Sequence, residues 1–237
     1  MKILAVDSSS ATASVALVDN KKIVAEYFIN AGLTHSQTLA PMIESILKNL
    51  KIDPAEIDLY VSTSGPGSFT GLRIGMATVE AMALANDKPC AGVSSLEALS
   101  YNINNHNNVI CACMDARREQ VYNALFKFEN NKLVRLTEDR AILIKDLSEE
   151  LKNLNFNIEI VGDAAEICYN STELESLGNK CILLPAKDRY IKASNVALAV
   201  LETFNSNNSS ANKFDLKVNY IKVPQAQRVM EEKLSNG

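Results

Sequence analysis

The sequence predicts an α/β fold, and three observations carry that prediction. Apolar residues fall in short strand-like runs at the start and middle of the chain, and at helical spacing between and after them. Glycines gather in Gly65-Pro66-Gly67-Ser68-Phe69-Thr70-Gly71, where a strand-like run gives way to a helix-like one. With 237 residues, 47% of them hydrophobic, the chain can bury a sizeable core as one large domain or two small ones.

The elements follow in order. Residues 2–7, 13–19 and 22–29 read as three strands joined by short polar turns, an antiparallel meander. The period then changes: Leu39, Met42, Ile43, Ile46, Leu47 and Leu50 recur at helical spacing within residues 34–50. A strand over 58–63 leads into the glycine-rich loop, a second helix runs over about 71–86, and a strand follows near 90–93. Ser94 and Glu97 stand at capping-box spacing and open a third helix. This order of strands and helices is that of a ribonuclease-H-like half.

Residues 102–108 (Asn-Ile-Asn-Asn-His-Asn-Asn) form a polar break. Beyond it, 109–114 and 120–128 predict a hairpin around Asp115-Ala116-Arg117-Arg118, followed by a strand over 132–136. A helix over 145–154, a strand over 158–161, a helical stretch after Gly162 and a strand over 181–184 come next. Residues 193–204 are a strongly apolar helix, 205–212 a Ser/Asn linker, 216–222 strand-like, and the last dozen residues frayed. Three segments result: 1–105, 106–223 and a tail over 224–237, with the helix over 193–206 packing either with the second segment or back on the first.

Composition excludes several classes. A net charge of −4 supplies no electrostatic footprint for gripping nucleic-acid phosphates. No apolar run approaches the roughly 18 residues that span a bilayer. The opening Met1 to Asp7 meets a carboxylate too early for a signal peptide. The five cysteines are scattered without a C-x-x-C pair, as expected of free thiols. The expectation is a soluble cytoplasmic protein.

Candidate sites each carry two readings. The glycine-rich loop with Gly71 and Gly75 can hold an anion at a helix N-terminus, or can be shaped for close packing. It is not a P-loop, since no Gly-Lys-Ser/Thr follows. Ala77, Ala81 and Ala85, beside Met76, Val79 and Met82, suit a docking partner helix or an intradomain one. Asp7 and Asp115, each ending a strand, suit a nucleotide–magnesium site or a turn. Arg117-Arg118 suits phosphate or a solvated turn. His35 and His106 are far apart in sequence and have no neighbour at metal-ligand spacing. Ser68 lies outside a G-x-S-x-G elbow.

The blocks ILAVDSSSATASVAL, GLTHSQTLAPMI, STSGPGSFTGLRIG, KPCAGVSSLEAL and MDARREQVY resemble, in order and spacing, the bacterial TsaB (YeaZ) family, over residues 3 to 122. Near the end, family members carry a tyrosine shortly followed by arginine; after Tyr220 this chain has Lys222 instead. The resemblance implies an actin-like fold of two ribonuclease-H-like subdomains, with mixed sheets flanked by helices. It implies a role in making threonylcarbamoyladenosine beside the tRNA anticodon, as a non-catalytic partner of the metal-bearing transferase TsaD, joined by the ATPase TsaE. It implies no cofactor, no membrane, tRNA contact only through the complex, and a homodimer when TsaD is absent. Where TsaD reads G-V-H-H-L-E-G-H, this chain reads Gly92-Val93-Ser94-Ser95-Leu96-Glu97-Ala98-Leu99, with Ser95 and Leu99 in place of the ligand pair. The docking residues it implies are Leu39, Met42, Ile43, Ile46, Leu72, Arg73, Met76 and Val79; Asp7, Ser8 and Asp115 are the candidates for phosphate. The competing expectation is an autonomous actin-fold ATPase or kinase using Asp7 and Asp115.

Overall fold

The computed structural model describes residues 1–103, 107–171, 174, 178–207 and 216–221. His106, much of the linker and the tail over 222–237 lie outside them. The opening meander is β1 (Lys2–Asp7), β2 (Ala13–Asp19) and β3 (Lys22–Ile29), antiparallel throughout. Helix α1 (His35–Leu50) carries the chain to β4 (Leu59–Gly65), which lies parallel to β1. Helix α2 (Phe69–Ala85) returns it to β5 (Cys90–Ser94), parallel to β4, and α3 (Ser95–Ser100) closes the half. The first sheet therefore runs β3-β2-β1-β4-β5.

The second half repeats this topology. Strands β6 (Val109–Asp115), β7 (Gln120–Glu129) and β8 (Lys132–Arg135) form an antiparallel meander. Then β10 (Ile158–Val161) pairs parallel with β6, and β11 (Cys181–Leu183) parallel with β10. The order β11-β10-β6-β7-β8 matches the first sheet strand for strand. Between the meander and β10 lie β9 (Arg140–Leu143), antiparallel to β7, and α4 (Ile144–Lys152). Helix α5 (Ala165–Tyr169) joins β10 toward β11, and α6 (Ala193–Asn207) follows.

Strand alternation sends side chains to both faces of each sheet, and both faces are covered. Leu4 and Val6 pack with Leu39, Ile43, Ile46 and Val79, so α1 and α2 cover one face of the first sheet. Ile3, Ala5 and Val18 point the other way, into a core shared with α3, α6, and Ile110, Ala112 and Phe126 of the second sheet. Val109, Cys111 and Leu125 face α4 and α5 through Leu147, Leu151 and Cys168. The layers are helices, sheet, helices, sheet, helices. Ala193, Val196, Ala197 and Val200 seat α6 on β1 and β2, back against the first sheet. Cys111, Cys113, Cys168 and Cys181 are buried and all five cysteines are free thiols; burial pushes Cys181 up to about 12.

Three local expectations change. Ser94 caps α3 by accepting from the Glu97 amide at 3.3 Å, but the Glu97 carboxylate does not reach back. It pairs instead with Arg135 at 3.2 Å, an arginine also bound to Asp139, and desolvation raises the Glu97 pKa. Strand β9 has no counterpart in the sequence reading, because Arg140–Leu143 runs directly into α4 at Ile144 with no turn residues to mark it off. Residues 216–221 form no strand: one amide, Asn219 N–H, donates to the Ser64 carbonyl at 2.7 Å.

Candidate functional site

The repeated topology places the ends of β1 and β6 opposite each other, and a cleft of about 560 Å³ opens between them. Ser9, Ser10 and His35 line one wall together with the loop 66–69; Asp115, Arg117, Arg118 and Asp163 line the other. Asn219, Tyr220 and Ile221 form part of the rim. Clefts at the carboxyl ends of parallel strands, where connections diverge, are where open α/β sheets bind ligands.

The glycine-rich loop is used for close approach. Gly67 (φ +156°) would place a Cβ 2.3 Å from the Ser9 carbonyl oxygen, and Gly71 one 2.0 Å from that of Ser8. Both contacts are far inside van der Waals limits, so α2 lies on the β1–β2 turn as no larger residue would allow. Ser68 N–H donates to the Ser9 carbonyl at 2.7 Å, and Ser68 Oγ caps α2 by accepting from Gly71 N–H at 3.2 Å. The packing reading of the loop is the one its contacts support.

The three phosphate candidates are not brought together at the cleft surface. Asp7 is fully buried: its Oδ1 accepts from Ser9 N–H (3.1 Å), Ser9 Oγ (2.7 Å) and Thr63 Oγ1 (2.8 Å). Ser8 is also fully buried, and its hydroxyl donates to the Gly71 carbonyl at 2.9 Å. Only Asp115 faces the cleft, where it accepts from Arg117 N–H at 2.7 Å. Its own amide donates to Asp163 at 3.1 Å, and burial raises the Asp163 pKa. The ATPase reading therefore has one carboxylate of its pair in the cleft lining and the other beneath it. Residues 117–119 all take positive φ, a left-handed turn that carries Arg117 and Arg118 to the cleft.

Asp7 Oδ2 has no partner among the described groups, and desolvation raises the Asp7 pKa above its ordinary 3.8 despite the hydrogen bonds to Oδ1. The folded chain thus holds this proton more tightly than the unfolded chain. The stability this provides is complete below the ordinary value and is lost as pH rises through the raised one. Asp7→Asn keeps the accepting oxygen and removes the titration. Denaturant unfolding followed upward in pH from the ordinary carboxylate range should show the variant gaining on its parent as pH rises; parallel profiles would exclude Asp7 as the titrating group.

The eight implied docking residues divide sharply. Leu39, Met42, Ile43, Ile46, Leu72, Met76 and Val79 are each at most 5% exposed, covered by this chain itself. In the isolated chain these side chains lie in its own core, and other residues carry the surface that the two helices leave open. Arg73 alone is exposed. The open face of α2 carries Arg73, Ala77, Ala81 and Ala85, four residues apart on one ridge, with the exposed Glu80 and Leu84, the latter at 85% exposure, beside them. Alongside it, α1 presents Gln37, Ala40, Pro41, Glu44 and Lys48. The alanine stripe lies on the open ridge, and the larger apolar residues lie on the opposite, buried one.

Two sheets of one topology, with a shared helical layer and a cleft between their strand ends, define an α/β protein of the actin-like class. The structure is similar to YeaZ from Pseudomonas aeruginosa, at a TM-score of 0.74 and 20% identity, covering 92% of this chain and 99% of that one. A family model described as TsaD, tRNA N6-adenosine threonylcarbamoyltransferase, matches residues 29–229. The tRNA threonylcarbamoyladenosine biosynthesis protein TsaB of Bacillus subtilis (strain 168) is 30% identical over 227 residues, 96% of each chain. TsaB of Escherichia coli (strain K12) is 31% identical over 152 residues, 63% of this chain and 65% of that one. The chain belongs to the TsaB (YeaZ) family.

The metal of a TsaD-type transferase does not fit the residues present. Ser95 and Leu99, which stand where the resemblance puts the histidine ligands, are both buried on α3. Leu99 belongs to the central core, and a hydroxyl with a hydrocarbon does not replace two imidazoles. Among the described residues no group of three His, Cys, Asp or Glu side chains is placed to hold a metal. No helix among them is long and apolar enough to cross a membrane.

Proposed function

We propose that this chain is a non-catalytic subunit of cytoplasmic tRNA threonylcarbamoyladenosine biosynthesis, which docks a TsaD-type transferase through the open face of α2 with α1 alongside. The observation that carries the reading is that face: a ridge of small residues flanked by Leu84, 85% exposed, on a helix whose other side is buried. Membership of a family whose named relatives act in this biosynthesis supports it. So does a helix α3 on which leucine and serine stand in place of metal ligands. Small residues let a second helix approach closely, and paired helices from each side can bury the roughly 1,200 to 2,000 Å² of a stable complex. Without TsaD the same face pairs two copies of this chain. A TsaE-type ATPase joins the assembly, and tRNA is held by the complex rather than by a chain of net charge −4. Docking acts by shifting the transferase toward its productive arrangement of lobes. In this scheme residues 1–105 form the docking subdomain and 106–223 the second, with α6 packed on the first.

The test is reconstitution. tRNA threonylcarbamoylation by the TsaD-type protein is measured with and without this chain. Activity should require both proteins and vanish with the chain alone. Modification by this chain in the absence of the transferase would overturn the non-catalytic reading.

A further inference from the structure

Arg73 is the one charged residue at the N-terminal end of the α2 ridge, and it does not swing freely. Its guanidinium carbon lies 3.8 Å from the centre of the Phe69 ring, one helical turn back. Its Nε donates to the Tyr220 hydroxyl at 2.9 Å, and the Tyr220 ring stacks on Phe69 with centroids 4.9 Å apart and planes 29° from parallel. Tyr220 is itself held in place. The neighbouring Asn219 amide donates to Ser64, and Leu216 packs into the core beneath α1 and α2. Gly65 and Gly92 make room for this segment: a Cβ on Gly65 would sit 2.5 Å from the Asn219 carbonyl oxygen, and one on Gly92 3.2 Å from Leu216.

The result is an arginine whose stem and Nε are fixed while its outer fork is left open. Arg73 is exposed and makes no ion pair among the described residues. Stacking on an aromatic ring with one nitrogen tied orders the guanidinium before anything binds, which lowers the cost of binding. Two parallel N–H donors at the end of an arginine match a carboxylate. The positive end of the α2 dipole adds to the attraction for a negative group. The ridge that follows, Ala77, Ala81 and Ala85, is shaped for a protein helix, so the carboxylate belongs to an aspartate or glutamate of a protein.

We propose that Arg73, positioned by Phe69 and Tyr220, receives a carboxylate from the docking partner, which makes the C-terminal segment 216–221 a working part of the docking face. The proposal rests on the α2 docking reading and adds the partner's chemistry to it. Tyr220 acts through Arg73 and is a positioning residue.

The test measures affinity for the TsaD-type protein at low and high salt, with the melting temperature of each variant alone. Arg73→Ala should weaken binding about tenfold or more and flatten its salt dependence. Arg73→Lys, which keeps the charge but loses the fork, should recover only part of the affinity. Tyr220→Phe, which keeps the stack and loses the hydrogen bond, should weaken binding by about two- to fivefold with its melting temperature unchanged. If Arg73→Ala binds as its parent does while Leu84→Glu fails to bind, the carboxylate receptor is refuted and the docking face stands. If both bind, the docking face falls as well. Weaker binding by Arg73→Ala with an unaltered salt dependence would reduce Arg73 to a pin for the tail and overturn the proposal.

Discussion

A glutamate at Leu84 is expected to abolish capture of a TsaD-type partner while leaving the melting temperature of the isolated chain within about 2 °C of its parent. Leu84 is 85% exposed, so the substitution removes almost no buried area and strands no charge in the free protein. In the docked state it would bury a carboxylate beside Ala81 and Ala85 and one turn from the like-charged Glu80, a cost of several kcal/mol, or about a hundredfold or more in affinity. Ile43→Glu supplies the contrast. Ile43 is 4% exposed within the core of α1, α2 and the first sheet, where it packs among Leu4, Val6, Ile46 and Val79. A charge there should unfold the chain, and any loss of binding would follow from that loss of structure. Thermal melts and pull-downs of both variants settle the matter. Binding retained by Leu84→Glu, with Ile43→Glu folded and unbound, would return the docking surface to the side first read from the sequence.

The contrast between the buried and the open sides of α1 and α2 marks the limit of what periodicity can say. Leu39, Met42, Ile43 and Ile46 announce a helix and identify its buried side, and both inferences hold. The same spacing is blind to what does the burying, since a core sheet and a partner helix leave one signature. The strands at both openings were legible because each has six or more residues of apolar character, enough to display a pattern. The relation between the halves was only a faint likeness of two strand-rich openings, yet in space β6, β7, β8, β10 and β11 reproduce β1 to β5. Topology is carried by element order and pairing, which tolerate wholesale change of side chains. The role of Tyr220 was out of reach for another reason. Its partners, Phe69 and Arg73, lie about 150 residues earlier, and no local rule links residues so far apart. What the sequence did display was the crowding of glycines in the loop before α2, though not the atoms that require it.

Those atoms make a sharper test of the loop than any ligand assay. Gly71→Ala should cost about 3 kcal/mol or more, lowering the melting temperature by roughly 10 °C, because its Cβ would lie 2.0 Å from the Ser8 backbone carbonyl oxygen. No change of the Ser8 side chain can relieve a clash with that carbonyl. Gly75 differs in a way that can be exploited. Its Cβ would meet the Ser8 hydroxyl at 2.4 Å and the Ser62 hydroxyl at 3.1 Å, so the principal obstacle is a side-chain atom. Gly75→Ala alone should cost about 1 to 3 kcal/mol, since Ser8 would have to give up its hydrogen bond to the Gly71 carbonyl in a fully buried setting. With Ser8→Ala already in place the obstructing oxygen is gone. The alanine then gains about 1 kcal/mol of helix propensity over glycine, which brings the second substitution near neutrality. Denaturant unfolding of the four members of that cycle should give a coupling of about 1 to 2 kcal/mol in favour of the double variant. The corresponding cycle between Ser8→Ala and Gly71→Ala should show no such rescue, because the obstacle there is the Ser8 backbone carbonyl. If Gly71→Ala melts like its parent, or Ser8→Ala rescues Gly71 as well as Gly75, the loop is not held by these contacts. Its glycines would then have to be explained by something that binds there.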